Sequence, residues 1–94
     1  MNKRTFGRTG EIVSEIGLGT YHLTRDKGVP RDEALRVVDD ALRLGVNVID
    51  TAPLYGQGES EEILGIALEG RTAPYFLATK VGHFIGITLT NFHY

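Results

Sequence analysis

No cysteine occurs among the 94 residues, which excludes a disulfide framework, a thiolate nucleophile and a zinc–thiolate site, and is compatible with a reducing cytoplasm. Nor is there a continuous apolar run near the ~20 residues that a membrane-spanning helix needs. The positively charged start, Met1 to Gly7, has no apolar stretch behind it, so the chain is read as neither secreted nor membrane-spanning, and a cytoplasmic location is expected. A surplus of either charge is missing too: ten Lys and Arg stand against twelve Asp and Glu, for a formal net charge of -2. Without a basic stripe, nucleic acid and anionic lipid surfaces are poor partners, and small neutral molecules fit better.

Several motifs are absent as well. Gly17-Leu18-Gly19 and Gly56-Gln57-Gly58 each need a third glycine to complete the dinucleotide fingerprint, and those places hold His22 and Glu61. A Rossmann domain is therefore not expected. His22, His83 and His93 lack metal-ligand spacing and read as loop or surface residues, so no metal is expected. There is no G-x-S-x-G elbow, and Asp39-Asp40 lies within a helical pattern, with Asp39 expected in solvent and Asp40 at the helix edge.

What is present suits one small soluble domain. Hydrophobic residues make up 41% and charged residues 23%, both ordinary for a globular chain. A chain this size buries about 60 to 65% of the surface that its unfolded form exposes. Two β-prone stretches around the turn Gly7-Arg8-Thr9-Gly10 predict a hairpin over residues 4–14. A short strand follows over 16–20. Pro30 and Asp32 then supply helix-start signals, and Leu35, Val38 and Leu42 recur at helical spacing until Gly45 stops the run. Val46-Asn47-Val48-Ile49 predicts a buried strand, residues 59–68 a second helix with three glutamates in its first turn, and residues 75–79 a third strand. Strand, helix, strand, helix, strand with short connections is the pattern of βαβ units around a parallel sheet. After Lys80 there is no charged residue, and Ile85 to Thr90 form an uncharged β-prone strip. Residues 84–94 thus form an atypical tail, either an extra strand or a truncated or frameshifted end.

Polar groups stand just past the predicted strands. Asp50 follows the second strand, Tyr55 lies in the loop beyond it, and Lys80 follows the third. In parallel barrels such strand ends share one mouth, where these enzymes work. A phenol ionises near ~10, a neighbouring ammonium favours its phenolate, and a carboxylate holds that ammonium in place and charged. Such a tyrosine suits general acid catalysis at a carbonyl oxygen. On spacing alone, a structural Asp50–Lys80 ion pair remains the other reading.

From Thr5 to about Gly82 the chain resembles the aldo-keto reductase family. The stretches that carry the likeness are Phe6 to Gly10, Val13 to Thr20, Gly45 to Ala52, Leu54-Tyr55-Gly56 with Glu59-Ser60-Glu61, and Ala78 to Gly82. The resemblance implies a partial (β/α)₈ TIM barrel: an N-terminal hairpin closing the bottom, then about three parallel βα units. It implies that Tyr55 is the proton donor, that Lys80 lowers its pKa, and that Asp50 orients Lys80 and touches the nicotinamide ribose, with Thr20 and Tyr21 nearby as cofactor-binding residues. NADP is the implied cofactor, NAD being possible, and the substrate is an aldehyde, a ketone or, in reverse, an alcohol or sugar.

The resemblance also implies a catalytic histidine ending a fourth strand, and phosphate-binding groups in the last two barrel units. His93 follows Lys80 by only thirteen residues, too few for an intervening helix and strand, and takes no such role. A whole barrel takes about 250 residues. Residues 1–94 are therefore expected to be an incomplete NADP-dependent oxidoreductase domain, marginally stable and of little activity alone. Its open sheet edges would lead to self-association or to a complementing chain. The alternatives are a non-catalytic barrel fragment serving as an interaction module and half of a split enzyme.

Overall fold

The computed structural model describes residues 1–82, so the predicted uncharged strip and tail lie outside the described residues. Strands β1 (Lys3–Thr5) and β2 (Ile12–Ser14) pair antiparallel, with Arg4 opposite Val13. The turn between them is built by residues suited to it: Gly7 and Gly10 take positive φ, and the Thr9 hydroxyl donates to the Phe6 carbonyl at 2.6 Å and accepts the Glu11 N–H at 3.1 Å. This is the hairpin that the sequence predicted.

Strand β3 (Leu18–Gly19), helix α1 (Arg31–Arg43), strand β4 (Val48–Asp50), helix α2 (Glu59–Leu68) and strand β5 (Phe76–Ala78) follow in order. The three strands form a parallel sheet ordered β3-β4-β5, in which Asp50 faces Gly19 on one side and Ala78 on the other. Helix and strand alternation, parallel pairing and the separate hairpin make this part of an α/β barrel. The second strand starts later than predicted. The Val46 N–H goes to the Ala41 carbonyl at 3.0 Å, so Val46 finishes the preceding helix instead of opening the strand, and Asp50 becomes the last rung of the ladder.

The core lies between the sheet and the two helices. Ile49 is fully buried against Val38 of α1 and Leu64 and Leu68 of α2, with Leu18, Leu23, Leu42 and Ala67 around them. The period-2 alternation of a strand sends Ile49 to the helices and Asp50 to the opposite face. Asp39 departs from its expected place in solvent. It is part-buried and pairs with Arg43 one turn along α1 at 2.8 Å and with Arg71 beyond α2, because Arg71 is anchored there by its own bond to the Ala67 carbonyl at 3.1 Å.

Asn47 ties the hairpin to the sheet. Its side-chain oxygen accepts the Ser14 N–H at 2.8 Å, and its amide donates to the Ile12 carbonyl at 3.0 Å. The Ser14 hydroxyl, itself buried, accepts the Asn47 N–H at 3.1 Å and donates to the Ile16 carbonyl at 2.6 Å. These bonds meet just before β4 begins, so the hairpin sits at the opposite end of the sheet from Asp50.

Candidate active site

The parallel ladder brings Asp50 and the residue just beyond β5 to the same end of the sheet. Lys80 follows Ala78 by two residues, and its Nζ stands 3.1 and 3.2 Å from the two Asp50 carboxylate oxygens and 2.8 Å from the Thr51 carbonyl. Both side chains are about half exposed. Tyr55 reaches the pair through a tight turn. Its N–H bonds to the Ala52 carbonyl at 3.2 Å, and Gly56 and Gln57 then take left-handed backbone, with φ of 60° and 55°. A side chain at Gly56 is doubly forbidden: its Cβ would lie 2.6 Å from Thr24 Cγ2, in a conformation that L-residues avoid.

The Lys80 ammonium lies 4.9 Å from the centre of the Tyr55 ring. The Tyr55 hydroxyl is the largest influence holding the Lys80 ammonium above the ordinary lysine value of 10.5; partial desolvation opposes it, and Asp50 adds to it. Its charge is therefore secure near neutrality and is lost only as pH rises through the raised value. Asp50, Tyr55 and Lys80, picked out from the sequence, thus come together.

Tyr21 joins them. Its ring meets that of Tyr55 edge to face, with centroids 5.1 Å apart and planes at 82°. The Lys27 ammonium stands 4.6 Å from the centre of the Tyr21 ring and is held above its ordinary value, first by the Tyr21 hydroxyl. His22 packs against Tyr21 as an exposed loop residue.

Thr20 lies differently from its neighbour. It is 2% exposed, its hydroxyl donates to the Asp50 carbonyl at 2.9 Å, and the same oxygen stands 2.7 Å from the Ser60 hydroxyl. It faces the packed side of the loop, whereas Tyr21 faces outward.

Two elements of the site escape sequence reasoning. One is Ser60, treated below. The other is Glu59, which reads from its position as a first-turn helix charge but is only 8% exposed. Its carboxylate accepts the Arg25 N–H at 2.7 Å and pairs with the Arg25 guanidinium, while Arg31 stands 4.0 Å away. This latch docks the loop after Thr20 onto the start of α2, and no spacing rule links residues so far apart in the chain. The Arg25 N–H is the foremost cause that holds the Glu59 carboxyl below its ordinary 4.5; burial opposes it, and the Arg25 and Arg31 guanidinium groups reinforce it. A depressed carboxylate contributes stability above its unfolded value that is lost as pH falls through the folded one. Arg25→Ala is therefore expected to move the acid-unfolding midpoint to higher pH. Circular dichroism along an acid titration checks this, and a midpoint unchanged from the parent chain would count against the latch.

Among the described residues, no group of three or more His, Asp or Glu is placed to hold a metal ion, and no helix is long and apolar enough to cross a membrane.

Parallel βα units with polar side chains gathered at the strand C-termini define the α/β-barrel class of enzyme. Within that class the chain belongs to the aldo/keto reductase family, a family of oxidoreductases, whose model matches residues 15–92. It is 42% identical over 83 residues to the uncharacterised oxidoreductase YqkF of Bacillus subtilis, covering 88% of this chain and 26% of that protein. It is 41% identical over 85 residues to L-galactose dehydrogenase of Arabidopsis thaliana, covering 86% and 27%. The solved aldo-keto reductase AKR11C1 of Bacillus halodurans, in its holo form, superposes with a TM-score of 0.75 at 45% identity, over 87% of this chain and 26% of that one. The chain thus spans about a quarter of the length of these relatives.

Proposed function

We propose that this segment carries the proton-donating half of a site for nicotinamide-dependent reduction of an aldehyde or ketone, or for the reverse oxidation of an alcohol or sugar. The observation that carries the reading is the Lys80 ammonium, held by both Asp50 oxygens and set 4.9 Å from the Tyr55 ring. A cation there favours negative charge on the phenol oxygen, which the donor must bear once its proton has gone to the substrate. Asp50 keeps the cation in place, and Tyr21 braces the ring from the side.

A reduced nicotinamide cofactor, NADP or NAD, supplies the hydride for this chemistry when bound. The donor set fits it: the Asp50 carboxylate is half exposed and able to accept from ribose hydroxyls, and Tyr21 offers an aromatic surface that is 47% exposed. In this proposal Thr20 acts indirectly, by fixing the Asp50 backbone.

A second observation bears on how the segment works. Beside β5 a groove of about 360 Å³ is lined by Leu64, Leu68, Tyr75 and Leu77, and Leu77 is 47% exposed in the sheet. Uncovered apolar surface of this kind supports a segment that is active only with further βα units against it, in the same polypeptide or from a second one, and that has little activity alone.

The test is complementation. The 94-residue chain is mixed with a polypeptide carrying the remaining barrel units of a relative, and NADPH oxidation is followed with a panel of small aldehydes. Activity from the mixture and from neither part is expected. A folded, stable mixture that oxidises no NADPH with any carbonyl would overturn the reading.

A further inference from the structure

We propose that Ser60 is a positioning residue for the Asp50–Lys80 pair, acting through Thr20 and Thr51. This deepens the reading of the site given above and rests on it.

The three hydroxyls are buried together, with Thr20, Thr51 and Ser60 each no more than 2% exposed. The Ser60 oxygen lies 2.7 Å from the Thr20 hydroxyl and 2.7 Å from the Thr51 hydroxyl. The direction of the chain follows from its far end. Thr20 gives its proton to the Asp50 carbonyl at 2.9 Å, so its oxygen receives the Ser60 proton, and Ser60 in turn receives that of Thr51. Each hydroxyl then donates once, and no buried side-chain polar atom among the described residues is left unpaired.

The chain grips one peptide unit from both sides. Asp50 carries the carboxylate that holds Lys80, and Thr51 carries the carbonyl that accepts the third Lys80 bond at 2.8 Å. The same carbonyl of Asp50 also receives the Thr20 N–H at 3.1 Å, and the Thr51 N–H goes to the Ala78 carbonyl at 2.8 Å. Backbone bonds therefore fix the strand end toward β3 and β5. Among the described residues, only Ser60, the second residue of α2, fixes it toward the helix layer through side-chain hydrogen bonds. Its placement comes from the rigid first turn of α2, which the Glu59 latch holds against the loop after Thr20. Ser60 touches neither Lys80 nor Asp50 side chains, so its effect is on their orientation.

The experiment reads Lys80 directly, without substrate or cofactor. The chain has three lysines, Lys3, Lys27 and Lys80, so labelling lysine Cε with carbon-13 gives three NMR titrations, and Lys80→Met assigns the relevant one. In the parent chain the Lys80 midpoint is expected above the ordinary lysine value of 10.5. Ser60→Ala is expected to lower it part of the way, because the Asp50 carboxylate loses its aim while the larger influence of the Tyr55 hydroxyl remains. Ser14→Ala is the control: that serine is also a buried hydroxyl with two hydrogen bonds, but at the opposite end of the sheet. It is expected to leave Lys80 unchanged. If both variants shift Lys80 alike, or if Ser60→Ala leaves it in place, the proposal is wrong. Should Ser60→Ala unfold the chain, the variant with Thr20→Val, Thr51→Val and Ser60→Ala removes all three hydroxyls and strands none of them; a Lys80 midpoint unchanged from the parent chain in it refutes the proposal, and a lowered one supports it. Because no turnover is measured, failure here leaves the proton-donor role of Tyr55 standing, and failure of that role leaves this result intact.

Discussion

Tyr55→Phe in the complemented barrel is expected to cut the rate of carbonyl reduction by about 10²–10⁴-fold, the range for removing a positioned general acid. Phenylalanine preserves the ring, and with it the edge-to-face contact on Tyr21 at 5.1 Å and the 4.9 Å approach of the Lys80 ammonium. Only the hydroxyl is lost. Binding of the nicotinamide cofactor, followed by fluorescence, should therefore change little while turnover collapses, which separates a proton donor from a packing residue. The same substitution has a signature in the isolated chain. Since the Tyr55 hydroxyl is the largest influence raising Lys80 above 10.5, that ammonium should titrate at lower pH in the variant. A complemented Tyr55→Phe enzyme that loses less than about tenfold in rate would exclude Tyr55 as the acid.

The largest effect on stability is expected from Ile49→Ala. Ile49 is fully buried on the helix side of the middle strand, in a cluster of only four buried residues. Truncating such a side chain removes its transfer free energy and leaves a cavity, together about 2–5 kcal/mol. Small domains are stable by only about 5–15 kcal/mol, so the loss is a large share of what holds this chain together. Leu77, its neighbour in the ladder on β5, is 47% exposed, and Leu77→Ala should cost far less. Urea unfolding of the two variants compares them. Equal losses would mean that the groove beside β5 is packed in solution. Because Asp50 follows Ile49 directly, the core variant should also loosen the Asp50–Lys80 contact, visible as a lowered Lys80 titration.

Much of the architecture was legible in the chain because it rests on local rules. The glycine-bounded turn announced the hairpin, and its threonine and glycines build that turn. Helix α2 spans the residues its pattern predicted, Glu59–Leu68. Strand limits were less legible. Whether Val46 belongs to a strand or to the end of a helix depends on which carbonyl its N–H finds, and apolar character does not encode that choice. Asp39 shows the same limit. As a polar residue on a helix it reads as solvated; its pair with Arg43 is local to α1, but its second pair, with Arg71, arises only from packing of the segment after α2 against α1.

The candidate site divides along the same line. Residue types and spacing singled out Asp50, Tyr55 and Lys80, because strand ends of parallel units converge and a phenol, an ammonium and a carboxylate are complementary, while the family resemblance supplied the roles expected of them. Their distances, the shift of Lys80 and the edge-on Tyr21 ring arise from the register of β4 against β5 and from the left-handed turn at Gly56. The supports beneath them, Thr20–Ser60–Thr51 and Arg25–Glu59, join residues up to 40 positions apart. No periodicity connects such residues, since their partnership exists only once two loops fold onto one helix start. Composition and pattern therefore indicated the elements and the candidate groups, while long-range packing decided how those groups are aimed and held.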